Sequence, residues 1–202
     1  MNTKQKILAV VLTLGLCATS AFAYTSTQLD AANSLANKGI INNNSTNPSA
    51  YNLDQNVLRQ EIAAVTRGVA RVPKNGSCKN MFKDLSATKP NSWACVNVEP
   101  LVENNLIAKN ENFRPEDYIT KAETLGMLIK AIGFDYSYDT TNPKGWQEQI
   151  VDFAVSKGIV DRFTDYDTKA TRGWVFEVAD FSIQVLEKET GKKLFSDEAG
   201  MN

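Results

Sequence analysis

Three loosely similar stretches recur along the chain, and this recurrence limits the fold more than any single residue does. The middle copy is the clearest: Phe82-Lys83-Asp84, Trp93, Leu106-Ile107, Phe113-Arg114-Pro115, then Ile119-Thr120-Lys121-Ala122-Glu123. The last copy has Trp146, Gly158-Ile159-Val160, Phe163 and Thr171-Arg172, and the first has Gly39-Ile40-Ile41, Tyr51 and Val57-Leu58-Arg59-Gln60-Glu61. Trp93 precedes Asn105 by twelve residues, as Trp146 precedes Gly158, whereas the same step back from Gly39 reaches Thr27. Tyr51 and Phe113 each lie eight residues before a cation, Arg59 and Lys121, and Phe163 lies nine before Arg172. The cations are separated by 62 and 51 residues. One such unit cannot bury its apolar face alone, so three must pack together.

The opening residues are of another kind. Lys4 and Lys6 precede an apolar run from Ile7 to Leu16, and Ala21-Phe22-Ala23 follows. This is the order of a secretory leader, with cleavage expected between Ala23 and Tyr24. Cys17 leaves a lipidated or uncleaved anchor as the alternative, although Leu16 stands where such signals carry a small residue. The run is shorter than the ~20 apolar residues of a membrane span, and no span is expected after cleavage. Removing residues 1–23 takes away two lysines and no acid, leaving 20 basic against 23 acidic side chains. A chain of that balance does not carry the basic face that nucleic acid requires.

Export also bears on the cysteines. Only Cys78 and Cys95 remain after cleavage, an even pair in an exported chain. A bridge between them would stabilise the fold by roughly 3 kcal/mol, and two free buried thiols are the alternative. There is no histidine anywhere, and two cysteines do not make a zinc site. Asp161, Asp165 and Asp167 lack the glycine and distal glutamate of a helix-loop-helix calcium site; a solvated loop is the better reading. No metal or cofactor is expected. Nucleophile elbow and phosphate loop are both missing, and no pair of carboxylates stands out for glycoside hydrolysis.

Apolar periodicity predicts helices over 28–38, 56–72, 92–105 with an interruption at Pro100, 121–132, 146–157 and 171–190. Gly39 and Gly158 sit where helices end. Thr120 and Glu123 form a capping box for the helix at Lys121. Short extended pieces are expected at Phe82–Leu85 and around Phe113. The boundaries read as leader 1–23, repeats 24–73, 80–134 and 144–190, and a loose tail 191–202.

These motifs resemble the S-layer homology domain family. The likeness is closest in the middle copy, through Phe82-Lys83-Asp84, Phe113-Arg114-Pro115 and Ile119-Thr120-Lys121-Ala122-Glu123. The resemblance implies an all-α, pseudo-threefold bundle of three helix-loop-helix repeats. It also implies a non-catalytic module at the cell surface, in an S-layer or on the periplasmic side of an envelope. Its partner would be a cell-wall polysaccharide or peptidoglycan-linked polymer, often pyruvylated, held in grooves between repeats. Arg59, Lys121 and Arg172 match the family's glycan-holding arginine. An anion there would meet free amides at a helix start and an adjacent cation. Glu61 and Glu123 are then cap residues or partners of the cations. Trp93 and Trp146 are core anchors, with groove lining as the alternative; Gly39 and Gly158 are terminators first and ligand neighbours second. The departures are Trp174 where the family has Glu, Leu58 where it has Thr, and Asn105 where it has Gly. The other reading is an envelope assembly unit that works through contacts with other envelope proteins.

Overall fold

The computed structural model describes residues 24–88 and 91–195. The leader with its expected cleavage site at Ala23, the Lys89-Pro90 part of the disulfide loop, and residues 196–202 lie outside the described residues. Six α-helices are present among the described residues: α1 Ser26–Asn37, α2 Arg59–Val69, α3 Ser92–Glu103, α4 Lys121–Ile132, α5 Trp146–Ser156 and α6 Arg172–Thr190. One 3₁₀ turn, Pro48–Tyr51, lies between α1 and α2. No strand occurs among the described residues, so the fold is all-α as expected.

Each unit is one helix, a loop and a second helix, but the two helices of a unit hardly touch. Instead α3 packs on α2, α5 on α4, and α1 on α6, while α2, α4 and α6 meet in the middle. Each unit therefore lays its first helix on the second helix of the unit before it. The ring is closed by the first and last helices of the chain. Ser34 Oγ and Lys38 Nζ both donate to Asp180 Oδ1, at 2.6 and 3.0 Å, and Gln184 Nε2 donates to its Oδ2 at 2.6 Å. Asp180 is buried, and a buried charge needs this full set of partners.

At the centre lies a cyclic set of backbone hydrogen bonds. The Val57 amide donates to the Ala170 carbonyl, Ala170 to Ile119, and Ile119 to Val57, each at 3.0 Å. All three residues are buried. Two residues on, the pattern repeats: Arg59 donates to Asp117 at 2.9 Å, Lys121 to Thr168 at 2.9 Å, and Arg172 to Gln55 at 2.8 Å. These contacts are the only extended pairing among the described residues, as three isolated bridges at 56–58, 118–120 and 169–171. The extended pieces expected at Phe82–Leu85 and Phe113 are thus misplaced. Helix α2 starts at Arg59 and not at Asn56 for the same reason: residues 56–58 are held extended by the other two units.

The helix ends repeat as well. After α1, α3 and α5 the chain turns through Gly39 (φ 70°), Asn105 (φ 56°) and Gly158 (φ 69°). The following amides, Ile40, Leu106 and Ile159, reach back to Leu35, Leu101 and Ala154. This is one C-terminal cap used three times, and asparagine can take glycine's left-handed place in it.

Pro100 does not break α3, contrary to expectation. A proline cannot donate to the carbonyl four residues back, here that of Val96. The Asn75 amide donates to that carbonyl instead, at 3.1 Å, so no acceptor is stranded. Next to it, fully buried Glu99 accepts from the Lys79 and Met81 amides at 2.7 and 2.9 Å. The Cys78–Cys95 disulfide, with Cα atoms 5.5 Å apart, fastens the same linker to α3. Beyond Gly191 the chain stays on the body as far as Phe195: Leu194 donates to Glu187, and the Leu194 carbonyl accepts from Arg71.

Replacing Glu99 with Ala should strand two buried amides and cost about 2–3 kcal/mol. Glu99→Gln keeps an acceptor and should cost less. Urea unfolding of both variants checks this, and equal losses would contradict it.

Candidate functional site

The ring of backbone bonds sets the second residue after each bridge, Arg59, Lys121 and Arg172, at the start of a central helix and facing the unit that follows in the ring. Each cation consequently lies in a groove built by its neighbour's cap turn and loop aromatic. Groove A joins Arg59 to Leu106, Ile107, Phe113, Glu123, Gly126 and Trp146, in a cavity of about 470 Å³. Groove B joins Lys121 to Ile159, Val160, Phe163, Trp174 and Glu177, in about 610 Å³. Groove C joins Arg172 to Ile40, Ile41, Tyr51, Ala64, Trp93 and Phe176, in about 410 Å³.

Local order in groove A comes from its motifs. Asp84 accepts from the amides of Phe113 (2.8 Å) and Arg114 (2.6 Å). Phe82 meets Phe113 edge to face with ring centres 5.6 Å apart. The Phe-x-Asp and Phe-x-Pro segments are therefore two halves of one clamp. It holds Arg114 in a left-handed turn, φ 61°. Arg59 lies over the Phe113 ring at 5.2 Å, donates through Nε to the Phe113 carbonyl at 3.0 Å, and through a terminal nitrogen to Glu123 Oε1 at 3.0 Å. Arg114 reaches the same oxygen at 2.8 Å. The other oxygen of Glu123 closes the capping box on Thr120 at 3.0 Å. Burial alone would raise the Glu123 pKa; the Thr120 amide, Arg59 and Arg114 outweigh it and hold the carboxyl below the usual range. Burial lowers the pKa of Arg59, partly offset by Glu123.

Groove C repeats the ion pair and groove B does not. Arg172 meets Glu61 Oε1 at 2.8 Å, and Glu61 Oε2 accepts from the Leu58 amide, half of a capping box. In groove B the acid is replaced by Trp174. Lys121 instead stands over two rings, Phe163 at 5.7 Å and Trp174 at 5.3 Å. Five residues after the three cations come Ala64, Gly126 and Glu177, so groove B alone places a carboxylate there.

The expected roles need two corrections, and the glycines stand as expected. Most amides at the helix starts are not free: those of Arg59, Lys121 and Arg172 form the second set of bonds between units, Gln60 and Gly173 donate to Pro115 and Leu53, and Glu123 and Trp174 are capped. A ligand would therefore meet side-chain cations and no open row of amides. Trp93 and Trp146 are not core anchors; they are 44% and 40% exposed and line grooves C and A. Gly39 and Gly158 act as terminators, and only Gly158 lines a groove. Sequence reading passed over Arg114, which resides in a motif but is not repeated, and Arg67 and Lys74 of groove C, which lie outside every motif. The loop aromatics Tyr51, Phe113 and Phe163 were visible in the spacing.

The sequence model of the S-layer homology domain matches residues 82–125, from the clamp through the capped start of α4. That segment is similar to an S-layer homology domain. The match covers the second unit, and the first and third are related to it by the cyclic bonds rather than by that match. No curated protein matches the chain. S-layer homology domains are non-catalytic modules that anchor proteins at the cell wall, which supports a surface-anchoring role for this one. Among the described residues no helix is long and apolar enough to cross a membrane.

A lowered folded-state pKa means that ionised Glu123 stabilises the fold above the ordinary carboxylate pKa, and that this is lost as pH falls through the folded value. Glu123→Gln should therefore cost about 1–2 kcal/mol at pH 7. The gap from wild type should narrow below about pH 4. Thermal melts across that range check the sign; a gap that widens in acid would contradict it.

Proposed function

We propose that the protein attaches to the cell wall by holding an acidic wall glycan, such as a pyruvylated polymer, in grooves A and C. The observation that carries this reading is the meeting, in both grooves, of an arginine from one unit, a loop aromatic from the next and an exposed tryptophan from the third. A guanidinium supplies paired, charge-assisted bonds to a carboxylate, and an indole face offers an apolar surface to a sugar ring. Groove C sets Arg172, Arg67 and Lys74 against one nearby acid, Glu61, and so favours an anion; groove A presents two guanidiniums, Arg59 and Arg114, held by Glu123 and Asp117, as the fork for a carboxylate. In this reading residues 1–23 direct export, the mature chain begins at Tyr24, and the protein resides at the cell wall.

Groove B supports a different use. Lys121 and Arg162 are balanced by Asp161 and Glu177, and Phe181 stands exposed at its edge. This favours contact with another envelope protein, the second reading, at that groove alone.

Sedimentation with purified wall sacculi tests the proposal. Arg59→Gln with Arg172→Gln should lower retention at least tenfold, with helical content unchanged by circular dichroism. Lys121→Gln should change it little, and added salt should weaken wild-type retention. Retention indifferent to the double substitution would refute the proposal.

A further inference from the structure

One wall of groove C has no counterpart in groove A. Arg67, Lys74, Trp93 and Asn97 line it, and they come from three pieces of chain: the end of α2, the linker after it and the start of α3. Hydrogen bonds join the pieces. Arg67 donates through Nε to Asn97 Oδ1 at 2.9 Å and through a terminal nitrogen to the Val72 carbonyl at 2.7 Å. Asn97 in turn donates to the Trp93 carbonyl at 2.8 Å. The shared scaffold does not require this. The matching positions, eight residues after Lys121 and four after Trp146, are Ile129 and Ile150, both buried.

Lys74 is the least supported member of the wall. Among residues 73–80 only Asn75 and Cys78 are partly buried, so a few polar bonds and one covalent bond set the path of the linker. The Asn75 amide donates to the Val96 carbonyl, and Cys78 is bridged to fully buried Cys95 on α3. Farther on the chain needs no such help. Glu99 accepts from the Lys79 and Met81 amides, and Phe82 and Leu85, at the clamp of groove A, are buried. The bridge therefore acts on the stretch before it, which carries Lys74.

We propose that the Cys78–Cys95 disulfide is a positioning element of groove C: it fixes Lys74 in the groove wall and makes anion binding there, and not in groove A, conditional on the oxidised cysteine pair. The inference rests on the anchoring reading above and adds to it an unequal dependence of the two grooves on oxidation. A dithiol reductant opens such a bridge by exchange: the S–S bond takes up two electrons and two protons, two thiols remain, and the reductant leaves as its own disulfide. A linker with so little buried surface then opens locally at small cost, and its cation leaves the groove.

Sedimentation with wall sacculi in two single-arginine backgrounds tests this. In Arg59→Gln, where groove C carries the binding, adding Cys78→Ser with Cys95→Ser should lower retention about fivefold. In Arg172→Gln, where groove A carries it, the same pair should leave retention as it was. Lys74→Gln should cost as much as the serine pair in the first background, and the two together no more than either alone. Hydrogen exchange gives a readout free of glycan. In the serine variant the Asn75 amide should exchange at least about tenfold faster, by an opening that hardly depends on denaturant, while Ile119 keeps a steep dependence. Equal losses in both backgrounds, no loss in the first, or an Asn75 amide that opens only together with Ile119 would each overturn the positioning role and leave the anchoring reading standing. An indifferent Lys74→Gln, a change at an exposed residue, would do so even if the serine variant failed to fold. If the wild type itself is not retained, the anchoring reading fails and takes this inference with it.

Discussion

Three backbone hydrogen bonds, among Val57, Ala170 and Ile119, decide most of what the molecule looks like. They join segments more than fifty residues apart, and each unit gives one bond and receives one. The helix starts follow from them, because residues just before α2, α4 and α6 are held extended by neighbouring units. The direction of Arg59, Lys121 and Arg172 follows in turn. The helix-start amides of Arg59, Lys121 and Arg172, which would otherwise wait for water or a ligand, are taken by the bonds that flank the ring. The helix ends therefore position the cations without themselves offering a binding site.

That trade explains why the grooves differ. The backbone enforces equivalence, and the side chains depart from it. An arginine beside a loop aromatic, with a glutamate across the junction, occurs in grooves A and C. Trp174 in place of that glutamate turns the third groove into an aromatic cradle for Lys121. Glu177, where Gly126 and Ala64 stand elsewhere, adds a negative charge to it. Three copies of one scaffold have thus become two clefts with an arginine–glutamate pair and one with a lysine over two aromatic rings.

Much of this was legible in the residues. The recurring spacings placed the caps, the cations and the loop aromatics, and Thr120 with Glu123 marked the start of α4. What stayed hidden was non-local. That α1 packs on α6, and each first helix on the unit before it, is written in no local pattern. Pro100 argued for a broken helix, because nothing near it announces that Asn75 would take up the freed carbonyl of Val96. Trp93 and Trp146 read as core because large apolar side chains are usually buried. Their exposure depends on which unit lies opposite. Arg114, Arg67 and Lys74 carry no repeat signal at all.

The central claim is that the three units are closed by one cooperative ring. Native-state hydrogen exchange of the Val57, Ile119 and Ala170 amides tests it most directly. If the ring is one structure, all three should exchange only through global unfolding, with the same free energy and the same denaturant dependence. Independent, faster exchange at any one of them would show a unit opening alone, and would contradict the account.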